Sequence, residues 1–169
     1  MSLSLHSATV PTFVRGFNNL LSWLDKAQAH AEARKFDRQA YLTLKLAPDM
    51  LPFTRQVQIA SDGAKACVAR LAGVDVPAWE DNEASFDDLR ARVRKTIDYL
   101  QSVPAEQVNA GAEREIVLPQ RTREPLRLTA ENFVFQYALP NFYFHTTTTY
   151  ALLRQAGVEI GKRDYLGAF

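Results

Sequence analysis

Apolar residues recur at intervals of three and four along four long segments of the chain, which is the pattern of amphipathic α-helices. The first segment predicts a helix from about Thr9 to Lys35, with Pro11 in its first turn, where a missing backbone N–H is tolerated. The second predicts a helix from about Pro48 to Leu71, ended by Gly73. Each helix carries an apolar stripe and therefore needs neighbours that bury it.

The third helix is predicted to begin at Ser85, because Ser85 and Asp88 have the spacing of a capping box. Pro104 ends it, since proline does not continue a helix easily. Its basic residues are expected on the solvent side, away from the apolar stripe. These residues are Arg90, Arg92, Arg94 and Lys95.

The fourth helix is predicted from about Thr129 to Gln155. The part from Phe133 to Phe144 is apolar on every side, so we expect the bundle and either the hairpin described below, the C-terminal tail or a second subunit to cover it. Four consecutive threonines after it favour a strand by propensity, but the spacing of three and four continues through them and favours a helix.

Two short alternating segments lie between the third and fourth helices, Glu115–Pro119 and Pro125–Leu128. They predict a short β-hairpin or an irregular loop. The fold class predicted for residues 1–169 is therefore all-α, a single domain built as an antiparallel four-helix bundle with this hairpin or loop.

Composition narrows the classes of function. The chain has 169 residues, with 20 basic and 19 acidic side chains, so no strong positive field favours nucleic acid or an anionic membrane as a partner. Cys67 is the single cysteine, so no intrachain disulfide forms. The sequence shows neither a basic-then-apolar leader nor an apolar run of about 20 residues, and we expect a soluble cytoplasmic protein.

Candidate chemistry lies on the apolar stripe of the fourth helix, where Asn141 and His145 take core-facing positions one turn apart. Asp49 and Gln56, seven residues apart at the second helix, are expected partners. If the four side chains converge, Asp49 orients His145 as a general base or metal ligand, while Gln56 and Asn141 bind a small polar ligand. In the alternative interpretation the group is structural, with Asp49 capping the second helix and Gln56 satisfying a backbone carbonyl.

The histidines do not have the spacing of a metal site. His6 lies before the first predicted helix and His30 lies near its end, and neither has ligand spacing to His145. A catalytic zinc takes three protein ligands, and amides are weak ligands for zinc or nickel. We therefore expect no metal ligands beyond His145 and no cofactor, with a divalent metal such as zinc or nickel as the alternative.

Four long motifs give the chain a family resemblance that covers about residues 3–167. It resembles a bacterial family catalogued as a domain of unknown function, which is similar to the DinB/YfiT-like superfamily of metalloenzymes. The motifs are Leu46-Ala-Pro-Asp-Met50, Arg55-Gln-Val-Gln-Ile-Ala-Ser-Asp62, Leu139-Pro-Asn-Phe-Tyr-Phe-His145 and Gly161-Lys-Arg-Asp-Tyr-Leu-Gly167.

The resemblance implies a DinB-like four-helix bundle, commonly dimeric, in a superfamily that includes metal-dependent hydrolases and thiol-dependent transferases. In that superfamily one histidine of the second helix and an H-x-x-x-H pair of the fourth bind a divalent metal. Here the pair reads Asn141-x-x-x-His145, and Gln56 or Gln58 stands where the histidine of the second helix is expected. Two of the three ligands are thus amides, and the metal triad is lost.

Two functions follow as hypotheses. The first is an enzyme, or a former enzyme, that acts on a small polar molecule at Asp49, Gln56, Asn141 and His145. The alternative is a non-catalytic helical protein, a homodimer that binds a small molecule or a protein partner through the apolar fourth helix.

Overall fold

Four long helices dominate the computed structural model of the chain, which describes residues 3–120, 122 and 124–168. The fourth long helix is continuous from residue 130 to 155 but changes its winding along the way. The long helices are α1 (Leu5–Arg34), α2 (Phe53–Ala72), α3 (Phe86–Ser102) and the fourth, which consists of α5 (Ala130–Asn132), a π-helical stretch (Phe133–Ala138) and α6 (Leu139–Gln155). The shorter elements are a 3₁₀ helix (Arg38–Thr43), α4 (Ala105–Asn109), β1 (Glu115–Leu118), β2 (Leu126–Thr129) and α7 (Lys162–Leu166).

The helices form a four-helix bundle in which α1 and α2 each pack against both α3 and α6. The stripes predicted from the sequence meet in one core, in which Phe13 and Phe17 of α1 contact the ring of Phe142 edge to face. Phe53 of α2 and Phe86 of α3 stack at another point of the core. The predicted all-α bundle with a short hairpin is confirmed.

Two helices begin elsewhere than predicted. Helix α1 starts at Leu5, because Ser4 and Ser7 form a capping box, and Thr9 is a buried residue inside the helix. Helix α2 starts at Phe53 rather than Pro48. Pro52 disfavours the helical conformation at the residue before it, so the helix does not extend through this position.

Other predicted helix ends are confirmed. The Ser85 hydroxyl caps α3 by accepting from Asp88 N at 3.1 Å, and Thr129 caps α5 by accepting from Asn132 N at 3.2 Å. Gly73 ends α2 with a positive φ of 72°, a conformation that suits glycine. Local signals therefore placed these boundaries correctly.

The solvent-facing position predicted for Arg90 and Arg92 is wrong, since both are buried. Arg92 is surrounded by carboxylates from α2 and from the segment before α3, and Arg90 pairs with Asp25 of α1. The error arises because an arginine that meets several carboxylates can be buried at a position that looks polar in the sequence.

The two strands pair antiparallel as a hairpin, with Ile116 opposite Leu128. The four consecutive threonines are helical, as the spacing of three and four favours. Three of them, Thr146, Thr148 and Thr149, donate their hydroxyls to carbonyls four residues earlier. None of the described helices is long and apolar enough to cross a membrane.

The chain does not cover the fourth helix on all faces. Four aromatic side chains of its uncharged part remain between 41% and 56% exposed. They are Phe135, Tyr137, Tyr143 and Phe144.

Candidate functional site

The packing of α2 against α6 brings His145 into contact with Gln56. The Nδ1 atom of His145 lies 2.7 Å from Oε1 of Gln56, and both side chains are buried, 8% and 2% exposed. The two residues are 89 positions apart in the chain, so the contact depends on the docking of the two helices. It lies at the level of the bundle where the sequence predicts a polar site.

The other end of the Gln56 amide determines which ring nitrogen of His145 carries the proton. Nε2 of Gln56 donates to the backbone carbonyl of Leu51 at 2.9 Å, and a carbonyl can only accept. The amide oxygen must therefore face His145, so Nδ1–H of the imidazole is the donor. In the neutral ring the lone pair then resides on Nε2.

Burial also sets the charge of this imidazole. Desolvation lowers the pKa of His145 below its ordinary value, because the low-dielectric surroundings disfavour the imidazolium. His145 is therefore neutral at pH 7. The ring of Phe144 packs against it edge to face at 5.2 Å and adds to the apolar surroundings.

The other two predicted site residues lie apart from this pair. A Cβ placed on Gly63 of α2 would lie 3.1 Å from the Asn141 amide nitrogen, so Asn141 packs against α2 two turns beyond Gln56. Asp49 lies exposed in a turn before α2, and no hydrogen bond or ion pair joins it to another described residue. Gln56, rather than Asp49, orients the imidazole.

Asp49 is also not the cap of the second helix, since Pro52 occupies the N-cap position. Gln56, in contrast, does bond a backbone carbonyl, as the structural interpretation expects. The sequence did not indicate the Leu51 carbonyl, because a backbone acceptor has no residue-type signal.

The donor set around His145 does not fit a three-ligand metal site. Its hydrogen-bond partner is the amide of Gln56, which is a weak ligand for zinc or nickel. Within residues 3–120, 122 and 124–168, no group of three or more His, Cys, Asp and Glu side chains can hold a metal.

The C-terminal motif that the sequence singled out forms a second structural feature. Its Asp164 carboxylate accepts from Lys26 Nζ at 2.6 Å and from Gly161 N at 2.7 Å. The Tyr165 ring stacks on Trp23 of α1, and its hydroxyl lies 2.9 Å from Thr147 Oγ1 of α6. These contacts hold helix α7 against α1 and α6.

The helical bundle with its short hairpin defines a DinB-like fold. The crystal structure of a DinB family member from Shewanella denitrificans matches with a TM-score of 0.90 and 40% sequence identity, over 98% of this chain and 93% of that one. A profile of the family described as Domain of unknown function (DUF1993) matches residues 5–166. The chain belongs to this family. No functionally curated protein matches it significantly.

Proposed function

We propose that the α2–α6 contact is an acid–base site for a small polar molecule, in which Nε2 of His145 accepts the proton of a thiol or hydroxyl group. The observation that carries the proposal is the pairing of His145 Nδ1 with Gln56 Oε1 while the Gln56 amide is anchored on Leu51. This arrangement leaves a neutral imidazole with its lone pair on Nε2, which is the form a general base requires.

A small thiol is the substrate class that suits this base best. The DinB-like resemblance includes thiol-dependent transferases, and a neutral imidazole activates a thiol by taking its proton to give the nucleophilic thiolate. The lowered pKa of His145 keeps the ring able to accept a proton at pH 7. Asn141 lies one turn away on the same helix and would bind a polar part of the molecule.

The proposed site acts without a metal triad, because amides replace two of the three ligands of the superfamily. Metal content of untagged protein, measured by elemental mass spectrometry, tests this part of the proposal. We expect no stoichiometric transition metal after incubation with zinc, nickel or manganese. One equivalent of bound metal would contradict it.

The thiol site is tested by titrating the purified protein with reduced glutathione, with the imidazole nitrogens observed by NMR. We expect saturable binding that shifts the Nε2 resonance of His145. His145→Ala should abolish binding while circular dichroism stays unchanged, and Gln56→Leu should weaken it. His6→Ala changes a histidine outside the site and is the matched control.

Two outcomes would overturn this proposal. If His145→Ala unfolds the protein, the His145–Gln56 pair is a structural hydrogen bond. If glutathione binds equally well to His145→Ala, the thiol is bound elsewhere.

The exposed face of the fourth helix favours a second function, association of two copies of the chain. No charged residue occurs between Glu131 and Arg154, yet aromatic side chains of this stretch are exposed. Tyr137 and Phe144, seven residues apart, are 46% and 56% exposed. A symmetric homodimer would bury such a face against its own copy, without the charge pairs that a nucleic acid or an anionic membrane would need.

Sedimentation velocity tests the dimer. We expect the wild-type protein to sediment as a dimer at micromolar concentration and Phe144→Ser to sediment as a monomer with unchanged circular dichroism. Val117→Ser, which removes an exposed apolar side chain of the hairpin, is the control and should stay dimeric. A wild-type monomer would rule out this role. In this proposal the protein works in a reducing cytoplasm, which suits its single buried cysteine.

A further inference from the structure

A cavity of about 220 Å³ lies between α1, α6 and α7, away from the His145 site. His145 and Thr146 are adjacent in sequence but point in different directions, His145 toward α2 and Thr146 into this cavity. A ligand here would therefore be separate from one at Nε2 of His145. The inference goes beyond the proposed function and does not rest on it.

Four aromatic rings line the cavity. Trp23 and Tyr165 stack with ring centroids 5.6 Å apart and an interplanar angle of 17°. Phe142 and Tyr143 of α6 contribute two more rings. Gly16 allows this geometry, since a Cβ at its position would lie 2.7 Å from the Phe142 ring. Rings on several sides favour a planar apolar ligand.

Polar groups line the cavity on the α1 side, at Thr146 of α6 and at the tyrosine hydroxyls. Thr12, Arg15 and Asn19 line the cavity from α1. Burial raises the pKa of the Tyr143 hydroxyl, and the positive charge of Arg15 partly opposes this shift, in keeping with the position of Arg15 beside Tyr143 at the cavity wall. Arg15 already takes part in an interaction within the chain, so a bound anion would share its guanidinium, which has five N–H donors.

The size of the cavity limits its occupant to one ring. An engineered apolar cavity of about 150 Å³ holds benzene, whereas drug-sized ligands need about 300 Å³ or more. About 220 Å³ therefore suits a single aromatic ring with one small substituent. Because the charged group at the wall is a guanidinium, the matching substituent is a carboxylate.

We propose that the cavity between α1, α6 and α7 binds a small one-ring aromatic carboxylate, with its ring among Trp23, Phe142, Tyr143 and Tyr165 and its carboxylate on Arg15. The motif Gly161–Gly167 then has a function beyond holding α7 against α1 and α6. It supplies the tyrosine that forms one wall of the ligand site.

Benzoate is the probe, and tryptophan fluorescence reports its binding. Trp23 lines the cavity and Trp79 is the only other tryptophan, so the full chain with Trp79→Phe isolates the signal of Trp23. We expect a saturable change with benzoate. Benzyl alcohol, which has the ring but no charge, should bind more weakly, and acetate should give no saturable change.

Arg15→Gln tests the carboxylate contact. It should weaken benzoate binding by at least about tenfold, since a hydrogen bond to a charged group contributes about 1.5–3 kcal/mol. Binding of benzyl alcohol should stay unchanged. Arg154→Gln removes another exposed arginine, on α6 but outside the cavity, and is the matched control.

The proposal is overturned if benzoate gives no saturable change up to about 10 mM, an affinity too weak for a formed site. It is also overturned if Arg15→Gln and Arg154→Gln bind benzoate equally well. His145→Ala should leave benzoate binding intact, and loss of binding in that variant would assign the probe to the α2–α6 site instead. Failure of the glutathione experiment has no bearing on this result.

Discussion

At the scale of single residues, the structure distinguishes side chains that have the same type and a similar position in the sequence. Gln56 and Gln58 are the two glutamines of the second helix that the sequence left as alternatives for the site. Only Gln56 reaches His145, while Gln58 lies on another face of α2 and bonds Glu83. Residues two positions apart on a helix point about 200° apart, so only one of them can face α6.

The lowered pKa of His145 has a measurable effect on stability. Below the ordinary histidine pKa of about 6.5 the unfolded chain binds a proton at this residue more readily than the folded chain. The free energy of unfolding should therefore fall as the pH drops below about 6.5, by at most about 1.4 kcal/mol per pH unit from this group, until the folded pKa is reached.

His145→Gln removes this titration and keeps a neutral hydrogen-bonding side chain. Urea unfolding at about pH 7.5 and about pH 5.5 should show a smaller loss of stability in the variant than in the wild type. An equal loss in both proteins would mean that other groups produce the pH dependence.

At the scale of elements, buried Arg92 joins α2, α3 and the segment between them. It lies 2.9 Å from Asp62 of α2 and, within the connecting segment, 3.0 Å from Asp81 and 2.8 Å from Glu83. Burial by itself would raise the pKa of Asp81, but hydrogen bonds and charge from Arg55 and Arg92 outweigh it and lower this pKa. Arg92 is therefore one of the main contacts that hold the long connection to the bundle, together with Arg55 of α2.

Arg92→Met should destabilise the protein by about 3 kcal/mol, because carboxylates that are partly buried would lose their cation. Arg94→Met, an exposed arginine on the same helix, should change stability by less than about 0.5 kcal/mol. Urea unfolding at neutral pH measures both changes in stability.

The difference in unfolding free energy between Arg92→Met and Arg94→Met should become smaller below about pH 4. The pKa of Asp81 is lowered in the folded protein, so its stabilising charge is lost as the pH falls through this range. If the difference in unfolding free energy stays constant down to about pH 3, Arg92→Met destabilises the protein through lost packing of the Arg92 side chain instead.

At the scale of the whole molecule, the close approach of α1 and α6 shapes the aromatic cavity. Gly16 permits this approach, because any Cβ there would collide with the Phe142 ring. Gly161, in contrast, has 3.9 Å between a Cβ and the nearest side-chain atom, which is an ordinary contact.

Gly16→Ala should therefore cost about 1–3 kcal/mol of stability through overpacking, whereas Gly161→Ala should stay within about 0.5 kcal/mol of the wild type. Thermal unfolding followed by circular dichroism measures both. If the two substitutions have the same effect, α1 and α6 can separate at little cost and the cavity is not rigid.

The sequence by itself determined where the helices lie and what most of their ends look like. Ser85, Gly73 and Thr129 act within a few residues of their own positions, so their roles follow from local backbone chemistry. The spacing of three and four likewise indicates the buried face of a helix without reference to the rest of the chain. The polar pair of the fourth helix was located for the same reason.

Only the tertiary structure decided which groups meet. His145 bonds Gln56 instead of Asp49, Arg92 is buried among carboxylates, and α7 closes a cavity against α1. Each of these contacts joins residues that are distant in sequence, and its partners depend on the rotation and offset of packed helices. Periodicity gives the face on which a side chain lies, but the position of the neighbouring helix determines the atom that it touches.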